Sequence, residues 1–222
     1  HPPEDKDTNS VSMLLRVSIP APDDDSIAEI EGYIASLPDP TYGSQLQDFA
    51  VQGHRAEYRL DVRYSEEIIR LSDGETVSLR HPNYRAGELG YGALHRDAML
   101  SPRVAPQMIG LGLLEAIPAA DILALADPQD RNGDGISGRA NTVWSVEYDQ
   151  PMLGRFGLKA GSPTLRQQSA SAFAGDIGIS TPLFPNAAGD CSKAQIACQK
   201  APHGDQDPRG TEVDQTGLDL VT

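Results

Sequence analysis

Side chains that carry oxygen recur at alternate positions in one acidic segment of the chain. Asp130, Asn132 and Asp134 are separated by single residues, and a glycine follows them. A Ca²⁺ ion takes about six to eight oxygen ligands, and a loop with this spacing can wrap around it with the carbonyl of Ile136 as a fourth ligand. Position 12 of the loop is Asn141, not the bidentate Glu of a complete EF-hand. The segment is therefore either a divergent calcium loop or an acidic, Gly-rich turn.

The chain has two cysteines, Cys191 and Cys198. Their spacing excludes a C-x-x-C motif, and neither begins a C-x-x-C-H site for haem attachment. They form either a small disulfide loop, which indicates an oxidising compartment, or two buried free thiols. A continuous helix would separate their Cα atoms by about 10.5 Å, whereas a disulfide needs about 4.4–6.8 Å. A bridge therefore requires Ser192–Ala197 to curl back as a short turn.

Composition and charge narrow the class of protein. The 222 residues include 21 Gly and 17 Pro and only 39% hydrophobic residues, which indicates short elements joined by ordered connections. The net charge of −14 would repel a phosphate backbone, so nucleic acid is not expected as a partner. No window approaches the roughly 20 apolar residues of a membrane span. Because the chain starts at His1 without an initiator Met or a signal peptide, we expect a processed protein or an excised piece of a longer one.

Hydrophobic periodicity predicts an α+β fold with a small antiparallel sheet, several short helices and extensive ordered loops. The sheet is expected over residues 56–80, with one buried and one wet face, a type I′ turn at Asp73-Gly74 and residues 12–19 as a further strand. A strand is also expected around Trp144, over 142–148. Helices are predicted at 26–36, 44–52, 107–117, 119–126 and 165–173, and a loop-rich region at 82–106.

We expect the chain to divide into an N-terminal part, 1–85, that carries the small sheet, and a second part, 86–222, that carries the short helices and the acidic loop. A single domain is the alternative, because a chain of 222 residues is long enough for one large domain or two small ones.

Several segments occur in a characteristic order: SPRVAPQMIGLGLLEAIP, ILALADPQDRNGDGISGRANTVWS and LGRFGLKAGSPTLRQQSASAFAGDIGIS, together with residues 41–52, 73–84 and 184–202. This series resembles the di-haem c-type oxidoreductases, a family of peroxidase or thiol-oxidoreductase type. The resemblance covers most of the chain and is specific as a set, because each segment alone would be a weak signal.

The resemblance implies a full-length protein that binds two haem c groups through C-x-x-C-H motifs, transfers electrons from a donor protein and reduces peroxide in the periplasm or outside the cell. The chain contains no such motif. It is therefore similar to the region between the two haem-binding motifs, with flanking haem-bearing segments expected before His1 and after Thr222. Cytochrome c-like haem segments are absent from this chain, so we expect no covalent haem on it and no activity from it alone.

The resemblance also suggests roles for three side chains. Glu115, in an otherwise apolar predicted helix, is a candidate acid/base that moves a proton between the peroxide oxygens. Alternatively, it is a structural residue paired with Arg103 or Arg139. Arg155 and Arg166 are candidates for pairing haem propionates, or else ordinary surface or capping arginines. From a different class, the alternative function is a calcium-stabilised extracytoplasmic binding or scaffold module with no redox activity.

Overall fold

A computed structural model describes residues 13–20, 37–204 and 210–222. It has short antiparallel sheets and several helices, which confirms the predicted α+β class. The strands are β1 (Met13–Ser18), β2 (Gln45–Leu46), β3 (Arg59–Arg70), β4 (Thr76–Gly87), β5 (Met99–Val104), β6 (Thr142–Ser145) and β7 (Gln150–Leu153). The helices are α1 (Leu111–Glu115), α2 (Ala119–Ala124), α3 (Leu165–Ile177), α4 (Ile196–Gln199) and α5 (Gln215–Val221), with a 3₁₀ turn at Leu158–Ala160.

Two compact units are formed by segments that alternate along the chain. Among the described residues, the first unit contains 13–19, 38–106 and 191–199, and the second contains 20, 37, 107–190 and the described residues after 199. The boundary between residues 85 and 86 stays a prediction. The helix expected at 26–36 lies outside the described residues.

A three-stranded antiparallel sheet in the order β2-β1-β5 forms the core of the first unit. Alternation along β1 buries Leu15 and Val17, which pack with Tyr42, Leu46 and Tyr58. The strand predicted at 12–19 is thus confirmed, but its expected pairing with residues 56–80 is wrong. Strand β1 pairs with β2 and with β5 instead.

A long two-stranded hairpin, β3–β4, confirms the antiparallel pairing predicted for residues 56–80. The predicted buried face is wrong for most of its length, because only the base of the hairpin, at Leu60 and Ala86, packs against the core. The type I′ turn is also wrong. The loop has five residues, is closed by the N–H of Leu71 donating to the carbonyl of Glu75 at 2.8 Å, and contains one positive φ, at Gly74.

The helix predicted at 44–52 is also wrong, and the loop-rich region predicted at 82–106 contains parts of two strands. Residues 44–52 are not helical; they contain β2, because Leu46 pairs with Leu15 and joins the core there. Residues 82–106 are not all loop, since β4 continues to Gly87 and β5 follows. Both strands contain a proline, and both lie at an edge of their sheet, where a missing N–H is tolerated.

A buried carboxylate organises the loop after residue 37. Asp39 is 1% exposed and accepts hydrogen bonds from the backbone N–H groups of Thr41, Tyr42 and His95 at 2.8, 3.1 and 2.8 Å. The hydroxyl of Tyr42 donates to the carbonyl of Gly92 at 2.7 Å. Because a buried carboxylate without partners is costly, these bonds fix the loop against the sheet.

The disulfide between Cys191 and Cys198 is present, with the two Cα atoms 6.3 Å apart. As the geometry required, the intervening segment curls back, and the N–H of Gln195 donates to the carbonyl of Ser192 at 3.0 Å. The hydroxyl of Ser192 also donates to the carbonyl of Thr41, which ties the disulfide loop to the first unit.

The second unit contains the short helices. Helices α1 and α2 flank Pro118, and α3 begins at Leu165, as predicted, although α3 extends beyond residue 173 to Ile177. The strand around Trp144 is confirmed but ends at Ser145, where a turn leads into β7. In the described part of the chain, no helix is long and apolar enough to cross a membrane.

Candidate functional site

Several polar side chains of the second unit form hydrogen bonds at the first turn of α3. The hydroxyl of Thr164 accepts a hydrogen bond from the N–H of Gln167 at 3.0 Å and so caps the helix. The side chain of Gln167 reaches the end of β6, where it accepts from the N–H of Val146 at 2.8 Å and donates to the carbonyl of Trp144 at 3.1 Å. The Thr-x-x-Gln spacing is a capping-box signal that could have identified this helix start from sequence.

Glu115, the predicted acid/base, ends α1 and faces the start of α3. Its carboxylate accepts a hydrogen bond from the backbone N–H of Leu165 at 2.8 Å. The first N–H groups of a helix have no partner within the helix, and the helix dipole favours a negative charge beside them. Glu115 itself is exposed, and within the described residues of its unit it forms no ion pair. Within this unit, the partner of the Glu115 carboxylate is thus the start of a helix.

Arg155, the first predicted propionate partner, binds the same C-terminal end of α1. Its guanidinium donates to the carbonyl oxygens of Leu114, Glu115 and Ile117 at 3.3, 3.0 and 2.5 Å. The last carbonyl groups of a helix lack partners within the helix and carry partial negative charge, so a cation is stabilising there. Arg155 and Glu115 therefore join the end of α1 to the residues after β7 and to α3.

Arg166, the second predicted propionate partner, lies in the first turn of α3 and forms ion pairs within the protein. Its guanidinium contacts Glu147, with an Nε–Oε1 distance of 3.5 Å, and Asp219 of α5. The Arg166 side chain is only 17% exposed, so the pairs are partly shielded from water. These contacts hold together the β6–β7 turn, α3 and α5.

The predicted calcium residues form a loop held by hydrogen bonds between side chains and the backbone. The Asp130 carboxylate accepts from the N–H of Gly135 at 3.1 Å, and the Asp134 carboxylate accepts from the N–H of Ile136 at 2.8 Å. The amide of Asn132 donates to Asp134 at 2.9 Å. Each carboxylate can accept several hydrogen bonds, so these contacts leave lone pairs that a cation could use.

Asp127, which the sequence reasoning missed, anchors this loop. One of its carboxylate oxygens accepts from the N–H groups of Arg131 and Asn132 at 2.8 and 3.3 Å. The other oxygen, Oδ1, is buried and has no hydrogen-bond partner in the described part of the chain. Across residues 13–20, 37–204 and 210–222, no three His, Cys, Asp or Glu side chains are grouped as a metal site.

The residues of this chain do not fit covalent attachment of haem c. Attachment uses two cysteines and a histidine in a C-x-x-C-H motif. The chain has two cysteines in all, and they are bonded to each other. No step of a reaction can therefore be assigned to a haem held by these 222 residues.

The family model described as "Di-haem oxidoreductase, putative peroxidase" matches residues 5–195. This match spans most of the chain, so the chain belongs to that family, as the order of its motifs indicated. No curated protein and no solved structure matches the chain.

Proposed function

We propose that this chain is the middle region of a di-haem oxidoreductase whose haem-attaching segments flank it. The complete protein would transfer electrons from a donor protein and reduce peroxide. The proposal is supported by the family match over residues 5–195 and by the absence of any C-x-x-C-H motif from the 222 residues. The disulfide of Cys191 and Cys198 favours an oxidising compartment, so we infer a periplasmic or secreted protein.

The observation that carries this proposal is the exposure of α1 and α2. These helices consist largely of apolar residues, yet neither contains a buried residue. Leu113 is 79% exposed, and Ile109 and Leu125 beside the helices are 90% and 84% exposed. Helices of five and six residues gain their stability from packing, and exposed apolar surface marks interaction sites. In the complete protein, the haem-bearing segments would cover this surface.

Hydrogen exchange tests this assignment. Backbone amides of residues 111–124 should exchange more slowly in the haem-loaded full-length protein than in the 222-residue chain. Amides of β1, which is already in the core, serve as the internal control and should exchange equally slowly in both proteins. Equal, fast exchange of residues 111–124 in both proteins would mean that the haem-bearing segments do not cover these helices.

Glu115, Arg155 and Arg166 remain proposals for the wall of the reaction site. Glu115 would move a proton of the peroxide substrate, and the two arginines would pair propionates. Their present contacts, with helix ends and with neighbouring carboxylates, give each a structural role as well. Activity and stability of variants in the full-length protein separate these roles.

A second proposal concerns the acidic loop, in which the Asp130 and Asp134 carboxylates keep acceptor capacity beyond their hydrogen bonds to the loop backbone. A Ca²⁺ ion bound by Asp130, Asn132, Asp134 and the Ile136 carbonyl would neutralise the carboxylates of the loop and stabilise the second unit. This ion would equally suit the alternative function, a calcium-stabilised binding or scaffold module without redox activity. Haem content of the full-length protein separates the two functions, because the alternative requires none.

A further inference from the structure

In the part of the chain that the structure describes, the outward edge of β3 pairs with no other strand. In an antiparallel ladder, the backbone N–H and carbonyl groups of every second residue bond to the partner strand. Those of the residues between them point away from the partner strand. Pro82 has no N–H, so its pair with Tyr64 is one of the outward-pointing pairs. The bond from Leu71 to Glu75 agrees, because it places odd-numbered residues of β3 on the inner side. The even-numbered residues from Leu60 to Arg70 therefore direct their N–H and carbonyl groups away from β4.

The two edges of this hairpin differ. Within the described residues, the sheet has two strands, and no backbone hydrogen bond from elsewhere reaches the β3 edge. On β4 the outward edge is interrupted by Pro82, a device that prevents strand pairing. On β3 no proline interrupts the edge, and Ile68 is 73% exposed. Strand β3 is therefore the edge that can accept another strand.

The charge of the hairpin suits a second copy of the same chain. The whole chain carries −14, so two copies repel each other in general. Residues 59–87 contain five Arg and five Asp or Glu, so the hairpin is neutral. Two copies can thus approach through their hairpins at a lower electrostatic cost than the net charge of the whole chain implies.

We infer that β3 of one molecule pairs antiparallel with β3 of a second copy around a two-fold axis at Ser65. This register uses the outward groups of both strands, because even-numbered residues then oppose even-numbered residues. It sets Arg63 opposite Glu67 of the other copy, twice by symmetry, and likewise Val62 opposite Ile68. Shifting the centre to Tyr64 sets Asp61 opposite Glu67, and shifting it to Glu66 sets two Glu66 side chains together. The self-complementary register is thus the one centred on Ser65.

The pairing joins two hairpins into a four-stranded sheet with the order β4-β3-β3-β4. A two-stranded hairpin alone is marginal in water, whereas four strands give each inner edge its hydrogen bonds. In the homodimer, the outward N–H and carbonyl groups of β3 therefore form hydrogen bonds with the second copy.

Disulfide trapping tests the register. In the inferred dimer the two Ser65 residues form a pair without hydrogen bonds, with Cα atoms about 4.5 Å apart, which is close enough for a disulfide. The S65C variant should form a covalent dimer on mild oxidation. The control is S72C, the same Ser-to-Cys change at an exposed position of the hairpin loop, which lies 14 residues from its symmetry mate, about 46 Å along the strand. If S65C gives no more dimer than S72C, the inference is overturned.

Charge reversal tests the same pairing without a new cysteine. Sedimentation equilibrium of the 23.8 kDa chain should show a dimer. R63E should weaken dimerisation about tenfold, since two attractive pairs become repulsive, and E67R should act similarly. The double variant R63E/E67R should restore it. Residues 63 and 67 of one strand are about 13 Å apart, so rescue can arise only between copies. A monomeric wild-type chain, or no rescue, would overturn the inference.

Discussion

Substitution of Glu115 separates its two proposed roles. The carboxylate accepts the N–H of Leu165 at the start of α3, at 2.8 Å. In E115Q the side chain keeps an acceptor oxygen and loses the charge, so only the interaction with the helix dipole is lost, about 0.3–1 kcal/mol. Because Glu115 is exposed, the lower part of that range applies. E115A also loses the hydrogen bond and should cost about 1–2 kcal/mol in total.

Two assays measure these effects. Urea unfolding of the 222-residue chain gives the free energy of unfolding for the wild type, E115Q and E115A. Peroxide turnover of the full-length protein gives the catalytic effect. A lost acid/base lowers turnover about 10²-fold or more, so E115Q should do so while haem loading stays intact.

The two readouts can fail separately. Turnover of E115Q equal to that of the wild type, with equal haem content, would make Glu115 a purely structural residue. If E115A unfolds with the same free energy as E115Q, the hydrogen bond to Leu165 contributes nothing; if both variants unfold with the same free energy as the wild type, the helix-terminus role is refuted.

Three further predictions concern stability. Replacing Cys191 and Cys198 by Ser should cost at most about 2.5 kcal/mol of unfolding free energy, because the closed loop is short; free thiols titrating in the native, unreduced protein would contradict the bridge. Millimolar Ca²⁺ should raise the melting temperature of chelated protein. At tenfold excess over a Kd near 10⁻⁴ M, binding adds about 1.4 kcal/mol to the free energy of unfolding. D134A should abolish that rise, and an unmoved wild-type melting temperature would leave the loop a simple turn. The pKa of Glu212 is lowered: burial acts to raise it, but hydrogen bonds from Ser180 and from a glycine N–H outweigh burial. Since the folded pKa lies below the unfolded value of 4.5, this stabilisation is present above pH 4.5 and is lost as pH falls through the folded pKa. E212Q should therefore be less stable than the wild type at neutral pH and differ less in acid; a pH-independent difference would contradict this.

Local signals predicted the elements that depend on neighbouring residues. Pro118 separates α1 from α2, and the turn residues at Asp73-Gly74 mark the end of the β3–β4 hairpin. The signal failed where a distant strand decides the structure. Leu46 lies on a helix-like pattern, but its pairing with Leu15 makes that segment β. Propensity is a weak prior, and tertiary pairing overrides it.

In the candidate site, too, local features could be predicted from the sequence and distant contacts could not. The residue types were evident from the sequence, but their partners were not, because the partners are far away along the chain. Glu115 binds the N–H of a residue 50 positions later, and Arg166 binds Asp219, 53 positions later. The role of Asp127 could not be predicted from the sequence, because this residue lies before the alternating pattern. Its carboxylate accepts hydrogen bonds from backbone N–H groups of the loop.

Haem content is the most direct test of the proposed function. Both the 222-residue chain and the full-length protein would be produced in cells competent for c-type haem maturation and measured by visible spectroscopy after denaturation. The full-length protein should contain two covalent haems per polypeptide, and the 222-residue chain should show no Soret absorption. A stoichiometric covalent haem on the 222 residues, or a full-length protein without haem, would contradict the assignment.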